Sequence, residues 1–133
     1  MKFGYTIIYV ADVLSSLTFF ERAFGFKKKF IDESGDYGEL DTGETTLSFA
    51  THSLGASNFP NGYISADSSD KPLGVEIALT TDSVEMAHQQ AIAAGALELK
   101  ALLKKPWVRL FSMLDVQTEL SLNGVHQYLN QKF

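Results

Sequence analysis

The chain has 133 residues, 45% of them hydrophobic and 20% charged, the profile of one globular domain long enough to bury about two-thirds of its unfolded surface. Eleven Lys and Arg against sixteen Asp and Glu leave a net charge of −5, and no basic run is longer than Lys27-Lys28-Lys29, which argues against a nucleic-acid surface. With no cysteine there are no disulfides, thiolate nucleophiles or thiolate zinc sites, and a cytoplasmic location is expected.

In chain order, residues 3 to 10 are rich in Tyr, Ile and Val and predict a strand. Their apolar stretch is too short to span a membrane and carries no cleavage signal, so neither a leader nor a membrane partner is expected. Asp12 or Ser15 can cap the helix that follows, Leu17, Phe20, Ala23 and Phe24 form its apolar face, and Gly25 suits its end. Alternation is rough from 26 to 31. Tight turns at Ser34-Gly35-Asp36 and Thr42-Gly43-Glu44 separate strands near 37 to 41 and 45 to 50.

Residues 52 to 71 are rich in Ser, Asn, Asp and Gly and predict a linker. Its apolar residues Phe59, Tyr63 and Ile64 fit a surface loop anchored to the core better than a lid. A second helix is expected from a capping box at Asp82 and Glu85, with Val84, Ala87, Ala91 and Ala94 as its buried stripe. Strands near 97 to 103, 108 to 114 and 117 to 122 follow.

The two halves repeat. Ile7-Ile8-Tyr9-Val10-Ala11-Asp12 matches Ile77-Ala78-Leu79-Thr80-Thr81-Asp82 at an offset of seventy, each aspartate being followed thirteen residues later by a glycine, Gly25 or Gly95. Thr45-Thr46-Leu47-Ser48-Phe49 matches Thr118-Glu119-Leu120-Ser121-Leu122 at an offset of seventy-three. Two βαβββ modules are therefore expected, over 1–51 and 72–123, joined by the linker 52–71 and followed by an atypical tail 124–133.

Tyr9-Val10-Ala11-Asp12-Val13, Ser16, Phe19-Phe20-Glu21-Arg22-Ala23-Phe24-Gly25-Phe26, Tyr37-Gly38-Glu39-Leu40, Leu47-Ser48-Phe49-Ala50, Ala94-Gly95-Ala96 and Lys105-Pro106-Trp107 resemble the glyoxalase/bleomycin resistance/extradiol dioxygenase (vicinal oxygen chelate) superfamily. The resemblance implies an α+β fold in which two βαβββ modules form a cup-like half-barrel sheet with helices outside, commonly as a homodimer. In the enzymes a divalent metal is held by the first and last strand of each module. Beyond Trp107 the chain departs from the family pattern, lacking its Asp-Pro-x-Gly turn.

Counting seven residues back from each aspartate, and carrying the second offset to the last strands, the repeat places the four family positions at Tyr5, Thr46, Val75 and Glu119. One carboxylate, a phenol, a hydroxyl and an isopropyl group do not make a divalent-metal site. Shifting to Glu76 would reverse every side chain on its strand. No metal and no cofactor are therefore expected. His52, His88 and His126 are expected as surface residues, off the inward strands.

The expected cup lining is Tyr5, Ile7, Tyr9, Val75, Ile77 and Leu79, with Thr46, Ser48, Glu119 and Ser121 as polar groups and Tyr37 and Trp107 as further candidate ligand contacts. Glu119 is the one weak catalytic candidate, through a pKa raised by burial. These residues favour a small apolar or aromatic ligand, as in the drug-sequestering antibiotic-resistance members, over a metal-dependent lyase or dioxygenase. A closed interaction module is the third reading, and which ligand is bound does not follow from sequence.

Overall fold

In the computed structural model, which describes residues 1–68, 71, 73–105, 108–115 and 126–131, the chain forms two units, Met1–Ser65 and Ala66–Phe133. The first runs β1 (Tyr5–Val10), α1 (Val13–Phe24), β2 (Lys27–Ile31), β3 (Tyr37–Asp41), β4 (Thr46–Thr51) and α2 (His52–Asn58). The second runs from a 3-10 turn at Ala66–Ser68 through β5 (Glu76–Thr81), α3 (Val84–Ala93), β6 (Leu97–Lys105), β7 (Val108–Asp115) and β8 (His126–Gln131). Sheet orders are β1-β4-β3-β2 and β5-β8-β7-β6, with the first pair of each parallel and the others antiparallel. Both units are thus βαβββ, as the repeat predicts.

Helix α1 starts because the Asp12 carboxylate accepts the Ser15 amide at 2.6 Å, satisfying one orphan donor. It stops at Gly25, whose φ of 75° is open to glycine at no steric cost. Val13, Leu17, Phe20 and Ala23 are buried on one face, and Phe20 packs on Phe49 of β4 with ring centroids 5.1 Å apart. Burying each large side chain contributes roughly 1.5–3 kcal/mol. The helix comes so close to β3 that a Cβ on Gly38 would lie 2.7 Å from Leu17 Cδ1 and 3.0 Å from Val13 Cγ1. That fixes which face of the sheet α1 covers: Gly38, its register partner Phe49, and Ile8 opposite Phe49 all lie on it.

The segment expected to be wholly linker begins as structure of the first unit. Thr51 Oγ1 accepts the Leu54 amide at 3.3 Å and starts α2. Phe59 and Tyr63 then return onto Tyr9, with ring centroids 5.8 and 5.2 Å away. Those two rings anchor the loop, whereas Ile64 remains exposed. His52 is half-buried, its Nδ1 lying 2.8 Å from the Tyr63 hydroxyl, so the surface expectation is corrected for it.

The second unit corrects the repeat in two places. The N-cap of α3 is Ser83, whose hydroxyl accepts the Met86 amide at 3.4 Å, and not Asp82. Ser83 therefore holds the place of Asp12, and the true correspondence runs one residue further than the sequence match. The tail expected after 124 contains the strand β8, which lies between β5 and β7. Composition alone did not mark it because the polar residues His126, Gln127, Asn130 and Gln131 hide its alternation, while backbone pairing on both sides holds it as strand. On α3 the buried set is Val84, His88 and Ala91. His88 is also corrected from surface to core: its Nε2 lies 2.8 Å from Glu98 Oε2, which offsets part of the cost of burying the imidazole, while Nδ1 has no partner among the described residues.

Candidate functional site

The face of the first sheet opposite α1 gathers the chemistry. Register sets Tyr5 against Thr46, Ile7 against Ser48, and Ser48 against Glu39, while Tyr37 lies across from Ala50. On β2 the register shifts between Lys28 and Phe30. Lys28 points to the helix side and pairs with Glu21 of α1 at 3.1 Å. The bulge then puts both Lys29 and Phe30 on the other face, the re-aiming of side chains for which bulges are common at functional sites. Lys29 Nζ lies 3.2 Å from Glu39 Oε2 and 3.4 Å from Thr46 Oγ1, and the Phe30 ring sits 6.4 Å from that of Tyr37.

These groups form one polar chain. The Tyr37 hydroxyl oxygen lies 3.0 Å from both Glu39 Oε1 and Ser48 Oγ. A phenol has one proton, so Tyr37 donates to the carboxylate and accepts from Ser48, which satisfies both hydroxyl protons. Ser48 is fully buried and Thr46 nearly so, and the Glu39 side chain is 13% exposed. Lys29 stands in front, its side chain 50% exposed. Burial pushes the Tyr37 phenol above its ordinary pKa of 10.0, helped by its bond to Glu39 and by the negative charge of Glu39, with the Ser48 bond opposing. Around this core the exposed Tyr5, Ile7 and Phe30 supply an apolar border.

Of the residues singled out from sequence, Tyr5, Ile7, Tyr37, Thr46 and Ser48 share this face. Val75 lies before β5 and is exposed; Glu76 occupies the strand position matching Tyr5, since each begins its strand and pairs with the first residue of the parallel neighbour, Thr46 or His126. Ile77 and Leu79 are half-buried at the positions of Thr6 and Ile8, the set that in the first unit turns to the helix. The expected lining of β5 is thereby reversed, because the shift of one residue exchanges faces. Trp107, Glu119 and Ser121 lie outside the described residues, and the strand parallel to β5 begins only at His126. Sequence reasoning missed Lys29, Phe30 and Glu39; the broken alternation over 26 to 31 was the trace of the bulge.

The resemblance implies a divalent metal between first and last strands, and the donors decide whether it fits. In the first unit the paired positions carry the Tyr5 phenol and the Thr46 hydroxyl, and Thr46 already lies beside the Lys29 ammonium. A second cation there meets like charge and no carboxylate or imidazole at either position, so this pair does not fit. In the second unit the pair is Glu76 and His126, both of ligand type. Among the described residues no three His, Cys, Asp or Glu side chains converge as a metal site.

Solved structures reproduce this architecture over nearly the whole chain. A glyoxalase-related enzyme from Fulvimarina pelagi is 13% identical with a TM-score of 0.78, covering 99% of this chain and 88% of its own. A glyoxalase/bleomycin resistance protein/dioxygenase family enzyme from Burkholderia phytofirmans PsJN is 20% identical with a TM-score of 0.71, covering 98% of each. TioX from Micromonospora sp. ML1 is 15% identical with a TM-score of 0.69 and full coverage of both. At such identities the likeness is one of fold. No curated protein matches the sequence. The family model for the Glyoxalase/Bleomycin resistance protein/Dioxygenase superfamily matches residues 2–119, and with the duplicated βαβββ units this establishes that the chain belongs to that superfamily.

Proposed function

We infer that this protein binds a small aromatic or apolar organic molecule, without a metal, on the open face of its first sheet. The observation that carries this reading is the border of exposed Tyr5, Ile7 and Phe30 around the linked chain of Ser48, Tyr37, Glu39 and Lys29. Apolar walls with a few fixed polar groups suit an organic ligand. A cytoplasmic homodimer completes the proposal, the dimer supported by the family resemblance and the compartment by the lack of cysteine. Titrating the neutral probe 1-naphthamide into isotopically labelled protein should perturb the amides of residues 5–9, 29–39 and 46–50. Perturbation confined to other residues, or none, would overturn the reading.

A second reading, an enzyme of the lyase or dioxygenase kind, is favoured by one observation: Glu76 and His126 are register partners at the strand ends from which the family's enzymes draw ligands. Stoichiometric Zn, Ni, Mn or Fe in protein taken directly from cells, lost in Glu76→Gln, would establish it over the first.

A further inference from the structure

Three positions in a row carry lysine, and the fold gives each a different task. Lys27 is exposed at the strand start, Lys28 is tied to α1 through Glu21, and the bulge turns Lys29 onto the open face. There its ammonium has three donors and, among the described residues, two partners, Glu39 Oε2 and Thr46 Oγ1. Its charge is not hidden behind its counterion. The Glu39 carboxylate lies deeper, 13% exposed against 50% for Lys29, and its two oxygens are engaged by Lys29 and by Tyr37.

A molecule arriving on this face therefore meets a positive group in front and a negative one screened behind it. The same bulge brings Phe30 beside Lys29, with 49% of its surface exposed and Tyr37 next to it. We propose that Lys29 is the anion anchor of the ligand site, taking the carboxylate of an aromatic acid whose ring lies against the neighbouring Phe30. The inference rests on the proposed binding face and names its ligand class. Ser48 holds the Tyr37 hydroxyl, Tyr37 holds Glu39, and Glu39 holds the ammonium. A neutral ligand of the same shape keeps the ring contacts and loses the charge-assisted bond.

The test compares 1-naphthoate with 1-naphthamide, equal in shape and different in charge, by calorimetric titration at pH 7.5 in low salt. Wild-type protein should prefer the carboxylate by about tenfold, in keeping with one hydrogen bond to a charged group. Lys29→Met should level the two affinities, and Lys29→Arg should keep the preference. Circular dichroism of both variants separates lost anchoring from lost folding. Equal binding of the two probes to wild type, or a preference that survives in Lys29→Met, overturns the anchor but not the binding face. If neither probe binds, both the anchor and the binding face are overturned.

Discussion

Glu76 stands opposite His126 where β5 runs beside β8, the place that Tyr5 and Thr46 hold between β1 and β4. Two units with the same sheet order have therefore diverged in chemistry at equivalent points. One pair consists of a carboxylate and an imidazole, the other of a phenol and a hydroxyl beside an ammonium. In the first unit a lysine stands next to the position where the family's metalloenzymes place a ligand, and its charge opposes a second cation there.

Tyr37 should titrate above free tyrosine, because burial and Glu39 disfavour its phenolate. The linkage is alkaline. Below about pH 10 folded and unfolded chains both keep the proton. Above it the unfolded chain releases the proton first, so the folded state binds more and its stability falls as pH rises toward the folded pKa. Denaturant unfolding at pH 8 and pH 10.5 should show a smaller loss between the two in Tyr37→Phe than in wild type. At pH 8 the variant should be about 1 kcal/mol less stable, through its lost hydrogen bond to Glu39.

Gly38→Ala should destabilise the first unit by about 1–3 kcal/mol, the usual cost of overfilling a packed core. Its new methyl would meet Leu17 at 2.7 Å and Val13 at 3.0 Å, both fully or nearly fully buried. The denaturation midpoint should fall with an unchanged slope. A variant as stable as wild type would mean that α1 moves off β3 easily.

Glu98→Ala should cost about 1 kcal/mol and Glu98→Gln much less. The imidazole of His88 is buried and its Nε2 is matched to Glu98 Oε2 at 2.8 Å, while the Glu98 side chain is 44% exposed, so solvent reduces the value of the charge itself. An amide oxygen replaces most of the pairing and a methyl replaces none. Thermal unfolding of the two variants side by side measures the difference.

Local signals were enough for the order βαβββ of the first unit, though not for α2, which falls in the expected linker. Asp12 caps α1, Gly25 ends it, Leu17, Phe20 and Ala23 are its buried stripe, and turns at 34–36 and 42–44 separate β2, β3 and β4. These features depend on periods of 2 and 3.6 and on turn residues, all carried by neighbours in sequence. The duplication and the superfamily were legible for the same reason. Register was not. The offset of seventy rested on matching Asp82 to Asp12, but Ser83 caps α3, and a shift of one residue exchanged Val75 for Glu76 and turned Ile77 to the other side. Nor could periodicity disclose that a bulge puts Lys29 and Phe30 on one face, or that β8 lies past residue 124. Strand pairing is decided by hydrogen bonds between residues far apart in the chain, and only the folded sheet establishes which residues those are.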